Sequence, residues 1–347
     1  MMLHTRLCDV LGVESPILVA PMGFVTGPEL AAAVSEAGGF GILSGGVNPP
    51  PVLRQDIRRI RELTQKPFAV NLLLQFPQEE NIAVCIEEKV AAISFYWGDP
   101  SPYVERIHAA GIKVIDQVGT VEAAVRAARV GVDVIIAQGF EAGGHVAGRV
   151  AMSVFVPRVV DAVSPVPVAA AGGIADARGV VAALALGAEG VVLGTRFLVS
   201  PEAAAHPTYK ERVLAATEED TTHTILFGLG WSHSPHRVLS TAFVKKWVKE
   251  EQNTQEPRPD GQVIGETRVA GQVIPVQQFM SLPPSIDASG DIDSMALYAG
   301  QTSGLVNEVK PAGEIVRELV EGASQIIQQR LNGLVAESIS SQSTSGR

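Results

Sequence analysis

The 347-residue chain has only two cysteines, Cys8 and Cys85, neither in a CxxC pair nor beside a histidine cluster. That is too few for a disulfide framework, and a reducing, cytoplasmic setting is the expectation. Long apolar runs are missing as well. The richest stretch, residues 180–193, is broken by Gly187, Glu189 and Gly190, so no segment offers the roughly 20 continuous apolar residues of a membrane span. The first nine residues hold His4, Arg6 and Asp9 in place of the apolar core and small-residue cleavage site of a signal peptide. Positive charge is in deficit: 27 Lys and Arg against 37 Asp and Glu give a net charge of -10. This argues against nucleic acid and anionic membrane surfaces as partners. A small anionic ligand stays open, because backbone amides and helix N-termini bind anions against the global charge. No HExxH, GxSxG elbow or Walker loop occurs.

What is present is apolar and regularly punctuated. Hydrophobic residues make up 46% and charged residues 18%, and mean hydropathy is positive, which excludes a disordered chain and leaves material for a large core and for a homo-oligomeric interface. Eight short apolar runs read as strands, at 17–20, 40–43, 68–72, 92–95, 113–117, 134–137, 168–170 and 190–193. Segments of helical periodicity separate them, for example 27–37 with Leu30, Ala33, Val34 and Ala37, and 121–130 with Thr120 as its N-cap. Strands that are apolar throughout are what a parallel sheet covered by helices requires. The expected fold is α/β, a (β/α)8 TIM barrel with an additional smaller lobe inserted after strand 8. An open doubly wound sheet shares the local pattern, but it would usually carry GxGxxG after its first strand, where this chain has Ala20-Pro21-Met22-Gly23.

The expected organisation is a barrel over 1–216, an inserted cap over 217–297, a segment over 298–335 returning to the barrel, and a flexible, Ser-rich tail over 336–347. Residues 200–219 read as helical, 221–284 show no legible alternation of strand and helix, and 313–334 return to helical periodicity.

In a barrel the chemistry sits just beyond the C-terminal ends of the strands. There, Ala171-Gly172-Gly173 is followed by a helix from Asp176, and about twenty residues on comes Gly194-Thr195. Two glycine turns after the last two strands make the usual phosphate site of such barrels. A tight turn alone would explain Gly172 and Gly173; the pair of loops favours the phosphate. His145 follows the sixth strand on the glycine-rich loop 138–145, where an imidazole can serve as a general base, although a single loop histidine is as readily structural. Asn71, Gln117 and Gln138 place amides at the ends of apolar strands, suited to the edge of a heterocycle, with Ala20, Pro21 and Met22 as an apolar rim. A planar ligand with a phosphate tail fits this set, and FMN is the economical candidate. His223, His233 and His236 near Trp231 lack the carboxylates and spacing of a metal site, and packing roles are expected.

Together the stretches PILVAPMG, AVNLL, IDQVG, AQGFEAGGH, VAAAGGI, VLGTRF and YAGQTSGL make the sequence resemble the FMN-dependent nitronate monooxygenases, formerly called 2-nitropropane dioxygenases, over nearly its whole length. Flavin-dependent enoyl-ACP reductases and NADH:quinone reductases share most of these motifs. The resemblance implies FMN contacts at Ala20, Pro21, Met22, Asn71, Gln117, Gln138, Gly143, Ala171, Gly172, Gly173, Gly194 and Thr195, a catalytic base at His145, and an approach of Tyr298, Gly300 and Gln301 to the flavin. It implies oxidation of alkyl nitronates, with nitroalkanes as a further substrate, by O2 to a carbonyl compound and nitrite. The family loop GGHxG appears here as GGHVAG, with one more residue before Gly148. The stretch WSHSPHRVL looks more like the monooxygenase branch than the compact quinone reductases. Two other readings stay open: an NAD(P)H-dependent flavin reductase, and a barrel that binds a phosphorylated ligand without redox chemistry.

Overall fold

The computed structural model describes residues 3–251 and 261–334; the expected tail at 336–347 lies outside them. Eight parallel strands follow one another round a barrel: β1 (Ile17–Val19), β2 (Gly41–Ser44), β3 (Phe68–Leu73), β4 (Ala92–Tyr96), β5 (Lys113–Val118), β6 (Val134–Gln138), then β8 (Val168–Ala171) and β9 (Gly190–Leu193). The two-residue β7 (Gly144–His145) lies between β6 and β8 in sequence and belongs to a different sheet. Parallel pairing of β1 with β9 and a bridge from Leu18 to Phe40 close the ring. All eight strands fall where the sequence places them.

Side-chain alternation builds two cores. Leu18, Ile42, Ala69, Ile115, Ile136 and Val192 point into the barrel, where Leu7, Cys8 and Leu11 of the first helix, Arg6–Leu11, join them. The alternate residues Val19, Leu43, Val70, Val114, Ala137 and Val191 meet the surrounding helices. Thr120 caps the helix Val121–Arg129 by accepting the Ala123 N–H at 3.1 Å. Asp176 caps Ala177–Ala185 by accepting from Arg178 and Gly179.

The expected helix over 200–219 is shorter. Only Pro207–Leu214 is helical, because a proline is tolerated in the first turn of a helix, where Pro207 stands, and not in its interior. The segment at 313–334 forms the helix Ala312–Gln325, continued as a π-helix over Ile326–Leu331. It packs between Pro28–Glu36 and Ala177–Ala185 and so completes the outer layer of helices.

Regular structure does occur within 221–284, contrary to the reading of its sequence. β10 (Thr221–Thr224) and β11 (His236–Leu239) pair antiparallel, and β11 pairs on its other side with β7. A helix, Ala242–Glu251, comes next. β12 (Val263–Val269) and β13 (Gln272–Gln277) form a hairpin, with β14 (Ser289–Gly290) along β12. The hairpin turns at Ala270 and Gly271 with φ of 50° and 80°, the left-handed pair that a two-residue hairpin turn demands.

Candidate functional site

At the C-terminal ends of the strands lies a cavity of about 210 Å3. Ala20, Pro21, Met22, Asn71, Gln117, Gln138, Gly143, His145, Ala171, Gly172, Gly173, Gly194, Thr195 and Tyr298 all line it. Gly300 and Gln301 do not. They stand behind it, where the Gly300 N–H donates to Thr195 Oγ1 at 3.0 Å and the Gln301 N–H donates to the Glu141 carbonyl at 3.0 Å.

Each wall has a local cause. The turn after β1 is held by Thr26, whose hydroxyl donates to the Ala20 carbonyl at 2.8 Å and accepts the Met22 N–H at 3.0 Å. Beyond it Phe24 adopts a left-handed φ of 58° at the cavity rim. Asn71 uses its amide donor on the Ser94 carbonyl at 3.2 Å. Gln138 accepts from the Tyr96 hydroxyl at 2.5 Å and donates to the His145 carbonyl at 3.1 Å. The amides of Asn71 and Gln138 are therefore held in place before any ligand arrives.

At the far end Gly172 and Gly173 take φ of 88° and 73°. A Cβ on Gly172 would sit 2.9 Å from the Ala142 nitrogen and 3.0 Å from the Gly139 carbonyl oxygen, so this turn excludes any other residue. Beside it the first amides of the helix Thr195–Leu198 have no acceptor within the helix. Phosphate fits such a place, held by N–H groups at a turn without side chains. Among the described residues no Lys, Arg, Asp or Glu lines the cavity.

His145 reaches the cavity because β7 pairs with β11: His145 lies opposite His236, and the Val146 N–H extends the pairing to the Pro235 carbonyl at 2.9 Å. The longer GGHVAG loop then packs against the end of β5, where a Cβ on Gly148 would meet the Gly119 carbonyl at 2.4 Å. Trp231 stacks on the imidazole with centroids 4.0 Å apart, and Tyr298, His236 and Trp97 surround it at 5.3, 5.6 and 6.3 Å. Loss of water, with His236 adding to it, holds His145 well below the usual histidine range, so the ring is neutral at physiological pH. His236 itself is buried and pushed down to about 4 by burial. Its Nε2 accepts the Phe227 N–H at 3.2 Å, and its Nδ1 lies 2.8 Å from the Ser234 carbonyl. His223 packs on Phe140 at 4.8 Å. Among the described residues no group of three His, Cys, Asp or Glu could hold a metal ion.

Comparison with known proteins agrees with this geometry. The profile described as nitronate monooxygenase matches residues 4–83 and 76–322. The chain belongs to the nitronate monooxygenase family. It is 33% identical to a probable nitronate monooxygenase of Bacillus subtilis, over 94% of this chain and 97% of that one. It is also 39% identical to the (3aS,4S,5R,7aS)-5-hydroxy-7a-methyl-1-oxo-octahydro-1H-indene-4-carboxyl-CoA dehydrogenase of Rhodococcus jostii, over 70% of this chain and 67% of that one. Among solved structures, FabK of Thermotoga maritima superposes with a TM-score of 0.81 at 36% identity, over 96% of this chain and all of that one. The family consists of flavin-dependent oxidoreductases, and the amide-lined, glycine-ended cavity suits a flavin.

The sequence did not single out Ser281, Pro283, Phe24 or Val47, which also line the cavity. Packing roles are the expectation for the histidines near Trp231, and it does not foresee the stacking of Trp231 on His145. No pattern marks Ser281: a serine in a Phe-Met-Ser-Leu-Pro loop gains meaning only when the fold sets its Oγ 3.3 Å from His145 Nε2.

Proposed function

We propose that this protein oxidises alkyl nitronates, and nitroalkanes after deprotonating them, to a carbonyl compound and nitrite, with FMN as cofactor and O2 as oxidant. The observation that carries this reading is the imidazole of His145 facing the same cavity as the two glycine turns. When bound, FMN supplies the redox chemistry that no side chain of the cavity offers. Gly172, Gly173, Gly194 and Thr195 would hold its phosphate, Asn71, Gln117 and Gln138 the polar edge of its ring, and Ala20, Pro21 and Met22 the apolar edge, with Tyr298 facing it. Gly143, Ala171, Gly300 and Gln301 would shape the cradle from behind and beside. The described residues of 1–216 and 298–335 would thus form the cofactor half, and those of 217–297 the wall facing substrate. Two buried free thiols fit a cytoplasmic setting.

A neutral His145 can take a proton from the carbon next to a nitro group, leaving the electron pair behind as nitronate. Toward a preformed nitronate it acts as a hydrogen-bond donor, not as a cation. With no Lys or Arg among the described residues of the lining, the anion would rest on N–H and O–H groups. Trp231 closes one face of the imidazole and keeps water from it. The test is O2 uptake and nitrite release by the FMN-loaded protein given propionate 3-nitronate; uptake without nitrite, or neither, would defeat the reading.

One observation favours a second reading. An uncharged cavity together with the similarity to a CoA-thioester dehydrogenase fits a flavin enzyme that exchanges electrons between NAD(P)H and a neutral thioester or quinone. Rapid anaerobic bleaching of the flavin by NADH or NADPH would select it.

A further inference from the structure

We propose that Ser281 is a positioning residue for His145: its hydroxyl accepts the hydrogen bond of the protonated imidazole and passes a hydrogen bond on to Tyr298. The inference rests on the reading of His145 as the base.

Ser281 Oγ lies 3.3 Å from His145 Nε2 and 3.0 Å from the Tyr298 hydroxyl. All three side chains line the one cavity. The serine is fixed by its backbone, since its N–H donates to the Leu229 carbonyl at 2.9 Å and the Leu229 N–H donates to the Phe279 carbonyl at 2.9 Å. The loop that presents Trp231 and the loop that presents Ser281 are therefore tied together, and both bear on His145. Tyr298 is fixed in turn by a bridge to Val238 and by the Tyr209 hydroxyl, which donates to its carbonyl.

The other polar groups packed around His145 direct themselves elsewhere. From β4, the Tyr96 hydroxyl serves Gln138 and the His145 carbonyl. From β10 and β11, His223 faces the Val146 carbonyl, His236 has both ring nitrogens engaged, and Arg237 donates to the Phe140 carbonyl. From the loop of His145 itself, the Glu141 carboxylate accepts the Met152 N–H. Among the described residues an imidazolium formed here meets no carboxylate at Nε2. A hydroxyl suits the place because it accepts from Nε2–H in the neutral and in the protonated ring alike, which leaves the other ring nitrogen as the base. In the step concerned the substrate C–H bond breaks, its electron pair stays on the substrate as nitronate, and the proton ends on the ring nitrogen that Ser281 does not hold; Ser281 keeps its own proton and accepts from Nε2–H.

The test uses Ser281→Ala and Ser281→Thr in the FMN-loaded protein. Loss of one hydrogen bond to a charged group predicts that Ser281→Ala lowers kcat/KM for nitroethane about ten-fold more than for ethyl nitronate, which has already lost its proton. Ser281→Thr, which keeps the hydroxyl, restores most of the difference. Nitrogen NMR of isotopically labelled histidine should show the Nε2 resonance of His145 displaced in Ser281→Ala and returned in Ser281→Thr. Equal losses on the two substrates, or an undisplaced resonance, overturn the proposal. If the unsubstituted protein oxidises neither substrate, the proposed function fails, and the NMR comparison still decides whether Ser281 holds His145.

Discussion

The two walls of the cavity are built on different principles. The barrel wall is backbone and amide: glycine turns after β8 and β9, and Asn71, Gln117 and Gln138 at the ends of β3, β5 and β6. The wall from the lobe and the segment after it is aromatic and hydroxylic, with Trp231, Ser281, Pro283 and Tyr298. A parallel sheet held on both faces fixes what leaves its strand ends, and a Cβ added at Gly143 or Gly172 would meet backbone at 2.5 or 2.9 Å. The lobe is a patchwork of short antiparallel pairs whose own core, Leu226, Phe227, Val238, Val244, Phe279 and Ala296, is small. Under the proposed function the difference would put cofactor binding on the barrel and choice of substrate on the lobe, with His145 at the seam, where β7 pairs with β11.

The sharpest way to break this division is to add atoms to the barrel wall. Gly172→Val places a side chain at φ of 88° against Ala142 and Gly139. The strain and clash of a few kcal/mol should weaken FMN binding by roughly two orders of magnitude or more, read by flavin fluorescence titration. The lobe should fold as before. At the seam, His145→Ala should cost roughly 10²–10⁴-fold in kcat/KM for nitroethane while FMN still binds. On the lobe side, Trp231→Ala removes the ring stacked on His145; KM should rise roughly three- to ten-fold with flavin affinity unchanged. An equal loss of flavin in that variant would erase the distinction between the walls.

The smallest effect concerns stability and lies in the barrel, away from the cavity. Asp116 of β5 is buried, and burial, with Asp99 adding to it and Arg126 opposing, pushes its carboxyl up to about 8. Between about pH 4 and pH 8 the folded protein therefore holds a proton that the unfolded chain has released, and stability falls as pH rises through that window. His145 and His236 act in the opposite sense: their lowered values stabilise the fold above the ordinary histidine value near 6.5, and that contribution is lost as pH falls, for His236 toward about 4. Asp116→Asn should raise stability by roughly 1 kcal/mol at pH 8 and change it little at pH 4, measured by urea unfolding at both.

The same two walls differ in how far the sequence discloses them. Barrel strands are apolar on both faces and end in small or amide residues, so 17–20, 113–117 and 168–170 are recognisable one by one, and the cap at Thr120 is evident from its position. Most of the cradle is legible for the same reason, because it is made of residues adjacent in sequence to strand ends. The lobe offers no such signal. β10 reads Thr-Thr-His-Thr and β11 His-Arg-Val-Leu, four residues each with no clean alternation, and they become strands only by pairing with each other and with β7. Ser281 and Trp231 act across loops held together by backbone bonds at Leu229 and Phe279, a relation that no local pattern records.

The division of labour stands or falls most directly on anaerobic mixing of the FMN-loaded protein, separately, with propionate 3-nitronate, NADH and NADPH, monitored by the visible absorbance of the flavin. Rapid loss of the oxidised flavin spectrum with the nitronate, and little change with either nicotinamide, is the predicted result. Fast bleaching by NADH or NADPH with no response to the nitronate would contradict it and assign the aromatic wall to a neutral acceptor instead.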